Sequence, residues 1–130
     1  MSETYSPGDD AIQGLREALR ASPNNSVLRL LLADALLNHG HGEEAEKEFR
    51  EGLAQSPNSV PIKLGLARAF FQQGKQSHAL VIVEDLVKDP KAPPHAFLLH
   101  AKILAGIGEI QQAVAEYRRA VGSSKSMIRL

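Results

Sequence analysis

The sequence predicts an all-α fold of stacked helix pairs, about seven helices long, from three observations. They are a 34-residue period, apolar residues at helical spacing within each period, and proline or glycine at the joints. Gly40, Gly74 and Gly108 keep the 34-residue step, as do Ala45, Ala79 and Ala113, and Ala33, Ala67 and Ala101. Bulky residues follow it too: Leu36, Phe70 and Leu104, then Phe49, Val83 and Tyr117. No segment alternates apolar and polar residues as a half-buried strand would.

The period also runs backwards. Gly8-Asp9-Asp10-Ala11 through Ser22-Pro23-Asn24 matches Gly42-Glu43-Glu44-Ala45 through Ser56-Pro57-Asn58, so one helix over 9–21 precedes three full repeats. Asn24 and Asn25 can cap a helix over 26–39, in which Leu28, Leu31, Leu32 and Leu36 recur at helical spacing. The turn His39-Gly40-His41-Gly42 stops it, because glycine tolerates the positive φ of a helix C-terminus. A helix over 43–55 opens with Glu43-Glu44, favourable at the positive end of the helix dipole, and ends before Pro57. Pro61 suits the first turn of a helix over 60–73, since its missing N–H is not needed there. Helices over 77–88, 94–106 and 110–122 complete the pattern, with Asp89-Pro90-Lys91-Ala92-Pro93-Pro94 as a joint. Paired alanines let the helices of each pair approach closely, and Leu36, Phe49, Phe70 and Tyr117 fill the spaces beside them.

The expected organisation is a disordered segment 1–7, a half repeat 8–25, repeats 26–59, 60–93 and 94–125, and the start of a truncated further helix at 126–130. The last expectation rests on the likeness of Ser126-Met127-Ile128-Arg129-Leu130 to Ser26-Val27-Leu28-Arg29-Leu30. On that reading the chain is the N-terminal module of a larger protein. Its last helix, with Val114 and Val121 outward, either self-associates or docks on a downstream, enzymatic or ATPase domain.

Composition narrows the function classes. Fifteen basic and fifteen acidic side chains give a formal net charge of zero, without the basic surplus that nucleic-acid or anionic-membrane binding uses. There is no cysteine, which excludes disulfides and thiolate chemistry. Met1-Ser2-Glu3-Thr4-Tyr5 has no basic or apolar signal character, and a cytoplasmic location is expected.

In these columns the chain resembles the tetratricopeptide repeat family. Ala33, Leu36, Ala45, Phe49 and Pro57 match its 34-residue pattern in the first repeat, and Ala67, Phe70, Ala79 and Val83 in the second. Phe97, Ala101, Leu104, Ala113, Tyr117 and Ala120 match in the third. Arg29 and Lys63 replace an aromatic residue of the pattern, and His100 replaces a leucine. The resemblance implies a right-handed superhelix whose first helices line a concave groove, and a scaffold or adaptor that binds a peptide or partner helix there.

Carried over position by position, the implied groove comprises Leu30, Asp34, Leu37 and Asn38, then Leu64, Arg68, Phe71 and Gln72, then His95, Leu98 and Lys102. Val27, Pro61, Ala105 and Gly106 fall at further groove positions. Leu30, Leu64 and Leu98 form an apolar ladder, which serves either as groove floor or as packing between neighbouring first helices. Asp34, Arg68 and Lys102 form a charged one. The family's carboxylate clamp for chaperone tails needs lysine, asparagine and arginine where this chain has Leu30, Asp34, Gly65, His95 and Leu99. No clamp is expected.

No catalytic, cofactor or metal site is expected either. His39, His41, His78, His95 and His100 include no i, i+4 pair with a nearby carboxylate, the arrangement of a helical zinc motif. Asp9-Asp10 and Glu43-Glu44 open helices, and adjacent helical residues do not face one another.

Overall fold

A computed structural model describes residues 7–128 of the chain, with side-chain surroundings from Gly8 to Gly122. Seven helices follow one another: α1 (Pro7–Ala21), α2 (Ser26–Asn38), α3 (Gly42–Gln55), α4 (Val60–Gln72), α5 (Gln76–Leu86), α6 (Pro94–Gly106) and α7 (Ile110–Ile128). There is no strand among the described residues. The family of expected boundaries is met within about two residues, except at the C-terminus. There α7 runs unbroken to Ile128, so the expected break before residue 126 does not occur. Gly122-Ser123-Ser124 contains no proline, and nothing there removes a backbone N–H from the ladder. Residues 1–6 and 129–130 lie outside the described residues, and Pro7, expected in the disordered segment, opens α1.

The joints show why the period exists. Asn25 Oδ1 accepts the Leu28 amide at 3.0 Å and Ser59 Oγ accepts the Ile62 amide at 3.4 Å, capping α2 and α4. Gly40, Gly74 and Gly108 adopt φ of 80°, 77° and 89°, where a side chain is strained. In each case the residue after the glycine donates back to the helix: His41 to Leu36 at 2.8 Å, Lys75 to Phe70 at 2.9 Å and Glu109 to Leu104 at 2.8 Å. Three copies of one helix stop therefore set three equal turns. Gly42, placed by the sequence in the first of these turns, instead begins α3 and is buried.

The core is continuous along the array. Ala33, Ala45, Ala67, Ala79 and Ala101 have no exposed surface, and Leu36, Phe49 and Val83 are at or below 1%. Two expected core residues differ. Leu31 is 49% exposed, because consecutive helical residues point about 100° apart and Leu30-Leu31-Leu32 cannot all face inward. Tyr117 is 39% exposed, although its equivalents Phe49 and Val83 are covered.

Glu46 on α3 ties two repeats together. Its carboxylate accepts from Gln73 Nε2 at 3.0 Å, Arg50 Nε at 2.8 Å and Lys75 Nζ at 3.2 Å. Burial alone would raise its pKa, but these three donors outweigh it and hold the group at about 2. A pKa depressed by folding stabilises the fold above the unfolded value and loses that contribution as pH falls towards the folded one. Acidification from about pH 4.5 to 2 is therefore expected to remove roughly 1–2 kcal/mol through Glu46, after allowance for its solvent-exposed partners. Urea unfolding across that window checks this, with a shallower loss in Glu46→Gln.

Candidate functional site

Helix order and contact pattern define two unlike flanks. Each helix meets its neighbours in sequence, and α2 also meets α4 while α4 meets α6. Among the described residues, the backbones of α1, α3, α5 and α7 stay apart, although Arg16 of α1 pairs with Glu44 of α3 and Arg119 of α7 reaches the end of α5. The first helices of the pairs thus crowd together on the inner flank and the second helices splay apart on the outer one. This is the geometry of a curved stack.

The groove residues inferred from the sequence separate into three groups on the inner helices. Leu37, 3% exposed, and Leu64, 9% exposed, belong to the core, which leaves them little surface for a ligand. Leu64 follows the packing alternative for the leucine ladder, since α4 is flanked by both α2 and α6. Leu30, Asp34, Phe71 and Leu98 are half-buried, with Leu30 and Phe71 against the core. Asn38, Arg68, Gln72, His95 and Lys102 are exposed. Gln72 is partly committed, because its Nε2 donates to the Leu37 carbonyl at 2.8 Å and joins α4 to the last turn of α2. Of the further positions, Val27, Pro61 and Gly106 are exposed and Ala105 is half-buried.

Asp34 is the most unusual group of this set. Burial raises its carboxyl above the usual aspartate range, and the positive charge of Arg68 offsets only part of that. The two do not form an ion pair, and Asp34 has no hydrogen-bond partner among the described residues. A half-buried acceptor on α2, followed by exposed Arg68 on α4 and Lys102 on α6, can receive a donor while the cations receive an acidic group from one polypeptide ligand.

Sequence reasoning missed the outer flank. Between α1 and α3, over α2, lies a furrow of about 500 Å³ lined by Arg16, Leu19, Arg29, Leu32, Leu36 and Glu48 among others. One repeat later a furrow of about 520 Å³ recurs over Leu53, Lys63, Leu66, Val81 and Ile82. Several of these positions are 34 residues apart, so the period itself was the available signal. In the third repeat the equivalent seam holds an ionic cluster. Glu116, only 6% exposed, accepts from His100 Nδ1 at 2.6 Å and from Arg119 at 2.7 Å. Arg119 also reaches the Val87 carbonyl at 2.8 Å and lies 4.4 Å from the Phe97 ring centre. His100 thus stands where the family pattern has leucine because α7 supplies it with a carboxylate.

Among the described residues no three His, Asp or Glu side chains converge as metal ligands, and no helix is long and apolar enough to cross a membrane. His39 donates to the Ala35 carbonyl of its own helix at 2.8 Å.

With the repeated helix stop and the curved stack in place, the comparison with family models is decisive. A tetratricopeptide repeat model matches residues 8–55 and again 44–103. The chain belongs to the tetratricopeptide repeat family. No curated protein matches it. Solved structures similar to it include a crystal structure of MamA, with TM-score 0.74 and 18% identity over 98% of this chain and 80% of that one. A MamA RS-1 ArsTM double mutant gives TM-score 0.78 and 13% identity over 92% of this chain and 67% of that one. At these identities the likeness concerns the repeat fold alone. The family is one of interaction modules, and its members' shared chemistry is protein recognition.

Proposed function

We propose that this tetratricopeptide chain is a cytoplasmic, non-enzymatic scaffold that binds a peptide or partner helix along the inner flank of α2, α4 and α6. The observation that carries this reading is the half-buried, unpartnered Asp34 carboxylate within the field of exposed Arg68, with exposed Lys102 at the equivalent position one repeat further on. Half-buried Leu30, Phe71 and Leu98 supply apolar contact between the charges. Adjacent packed helices are about 8–10 Å apart, so an extended ligand rising ~3.3 Å per residue would meet successive helices at about every third residue.

The ligand chemistry follows: an acidic side chain near Arg68 and Lys102, a donor for Asp34, and small or apolar residues between. Partial burial of three apolar groups is worth only a few kcal/mol against an association cost of about 4–15 kcal/mol, so charge supplies much of the selectivity. Peptide display against the wild-type chain is expected to enrich acidic sequences. Their affinity for an Arg68→Glu/Lys102→Glu variant should drop about tenfold or more, the loss of one good charged contact or more. Equal binding to both proteins would move the site elsewhere. These two residues are exposed, so the variant tests recognition without removing core contacts, unlike a change at Leu64.

A second reading, self-association through α7, is favoured by one observation. Ile110, Val114, Tyr117 and Val121 form an exposed apolar stripe on that helix, at 57%, 42%, 39% and 55% exposure.

A further inference from the structure

The acidic and basic side chains balance over the whole chain but not along it. Residues 1–60 carry ten acidic and five basic side chains, whereas residues 61–130 carry five acidic and ten basic. Because the helices stack in chain order, this division becomes a charge difference between the two halves of the array.

The basic end presents the apolar stripe of α7. Its furrow, about 390 Å³ in volume, is lined by Val114, Tyr117, Arg118, Val121 and Gly122. The equivalent residues of α3, Phe49 and Leu53, are covered or half-covered where α3 meets α4. The acidic half ends in the outer face of α1, where Asp9, Asp10 and Glu17 are exposed together with one basic residue, Arg20. Gly14 lies among them, and a side chain added there would meet nothing within 4 Å. Ala11 and Ala21 on the same helix are exposed too, so bulky side chains find shallow ground between the carboxylates.

We propose that the α7 face of one molecule docks on the α1 face of a second copy, head to tail, with the opposite charges of the two ends selecting that pairing. The proposal rests on the self-association reading above and adds the receiving surface. Two α7 faces meeting each other would put two Arg118 side chains, one from each copy, into a single interface, whereas α7 on α1 sets Arg118 in a surface that carries Asp10 and Glu17. The contact is heterologous, so each molecule keeps one free α7 and one free α1, and assembly continues into rings or filaments rather than stopping at a dimer.

Complementation tests it. Val114→Glu/Tyr117→Glu blocks α7 and leaves α1 intact; Gly14→Lys/Glu17→Lys blocks α1 and leaves α7 intact. All four positions are exposed, and circular dichroism establishes that each variant is helical. In sedimentation velocity from micromolar to millimolar concentration, the wild type is expected to grow in mass, each variant alone to stay monomeric, and an equimolar mixture to give a heterodimer and nothing larger. If the α1-blocked variant still dimerises alone, head-to-tail docking is wrong and self-association through α7 stands. If the wild type stays monomeric throughout, both readings fall. The wild-type salt series decides independently of any variant's folding. Contact between opposite charges should weaken about tenfold from low to high ionic strength, whereas a like-charged α7 pair would strengthen.

Discussion

Truncating Phe49 to alanine is expected to cost about 3–5 kcal/mol, the range for deleting a fully buried aromatic side chain. Phe49 is 1% exposed and lies between α3 and α4, where its ring covers the backbone of Gly65. A Cβ on Gly65 would enter that ring, so the pair is a single packing unit. Gly65→Ala should consequently destabilise the wild type by about 1–3 kcal/mol through overpacking, less the ~1 kcal/mol that alanine contributes over glycine within a helix. In a Phe49→Ala background the obstruction is gone, and the same alanine should become stabilising. Urea denaturation of the four members of this cycle checks the change of sign. Additive effects would show that ring and glycine do not share one space.

Replacing Glu116 by alanine is the second large effect, about 1.5–3 kcal/mol, the worth of hydrogen bonds to a charged group. It strips His100 and Arg119 of their common acceptor and releases the link from Arg119 to the Val87 carbonyl, loosening α5, α6 and α7 together. The expected contrast is His100→Leu/Glu116→Leu, which replaces the buried polar pair by apolar side chains. Such replacements are often neutral or stabilising, so the double variant should recover most of the loss. Thermal unfolding distinguishes the two. If the double variant were as weak as Glu116→Ala, the cluster would contribute more than pairing, through geometry that leucines cannot reproduce.

The repeat was legible in the sequence because its cause is local. The glycine at each helix stop, the alanines at each seam and the capping asparagine act within a few residues of themselves, and a 34-residue step exposes them. The candidate groove was less legible. Leu37 and Leu64 stand at family groove positions, yet their exposure depends on how closely α4 approaches α2 and α6, which no single helix encodes. The outer furrows and the His100–Glu116–Arg119 cluster each draw on more than one helix, so their members read separately as core, turn or solvated charge. Tyr117 matched its column and is nevertheless open to solvent, because burial there depends on a further helix rather than on the residue. Asp34 was visible as a charge; its lack of a partner was not.

The neighbour-only wiring of the helices also governs how this molecule comes apart. Helix α4 touches α2, α3, α5 and α6, while α1 packs on α2 with an ion pair from Arg16 to Glu44 of α3, and α7 packs on α6 with a hydrogen bond from Arg119 to the end of α5. With cohesion so local, strand-like long-range ties are lacking and each terminal helix can peel away while the middle remains folded. Amide protection should accordingly crest in α4 and slope towards both extremities, and the chain should melt as a fraying stack.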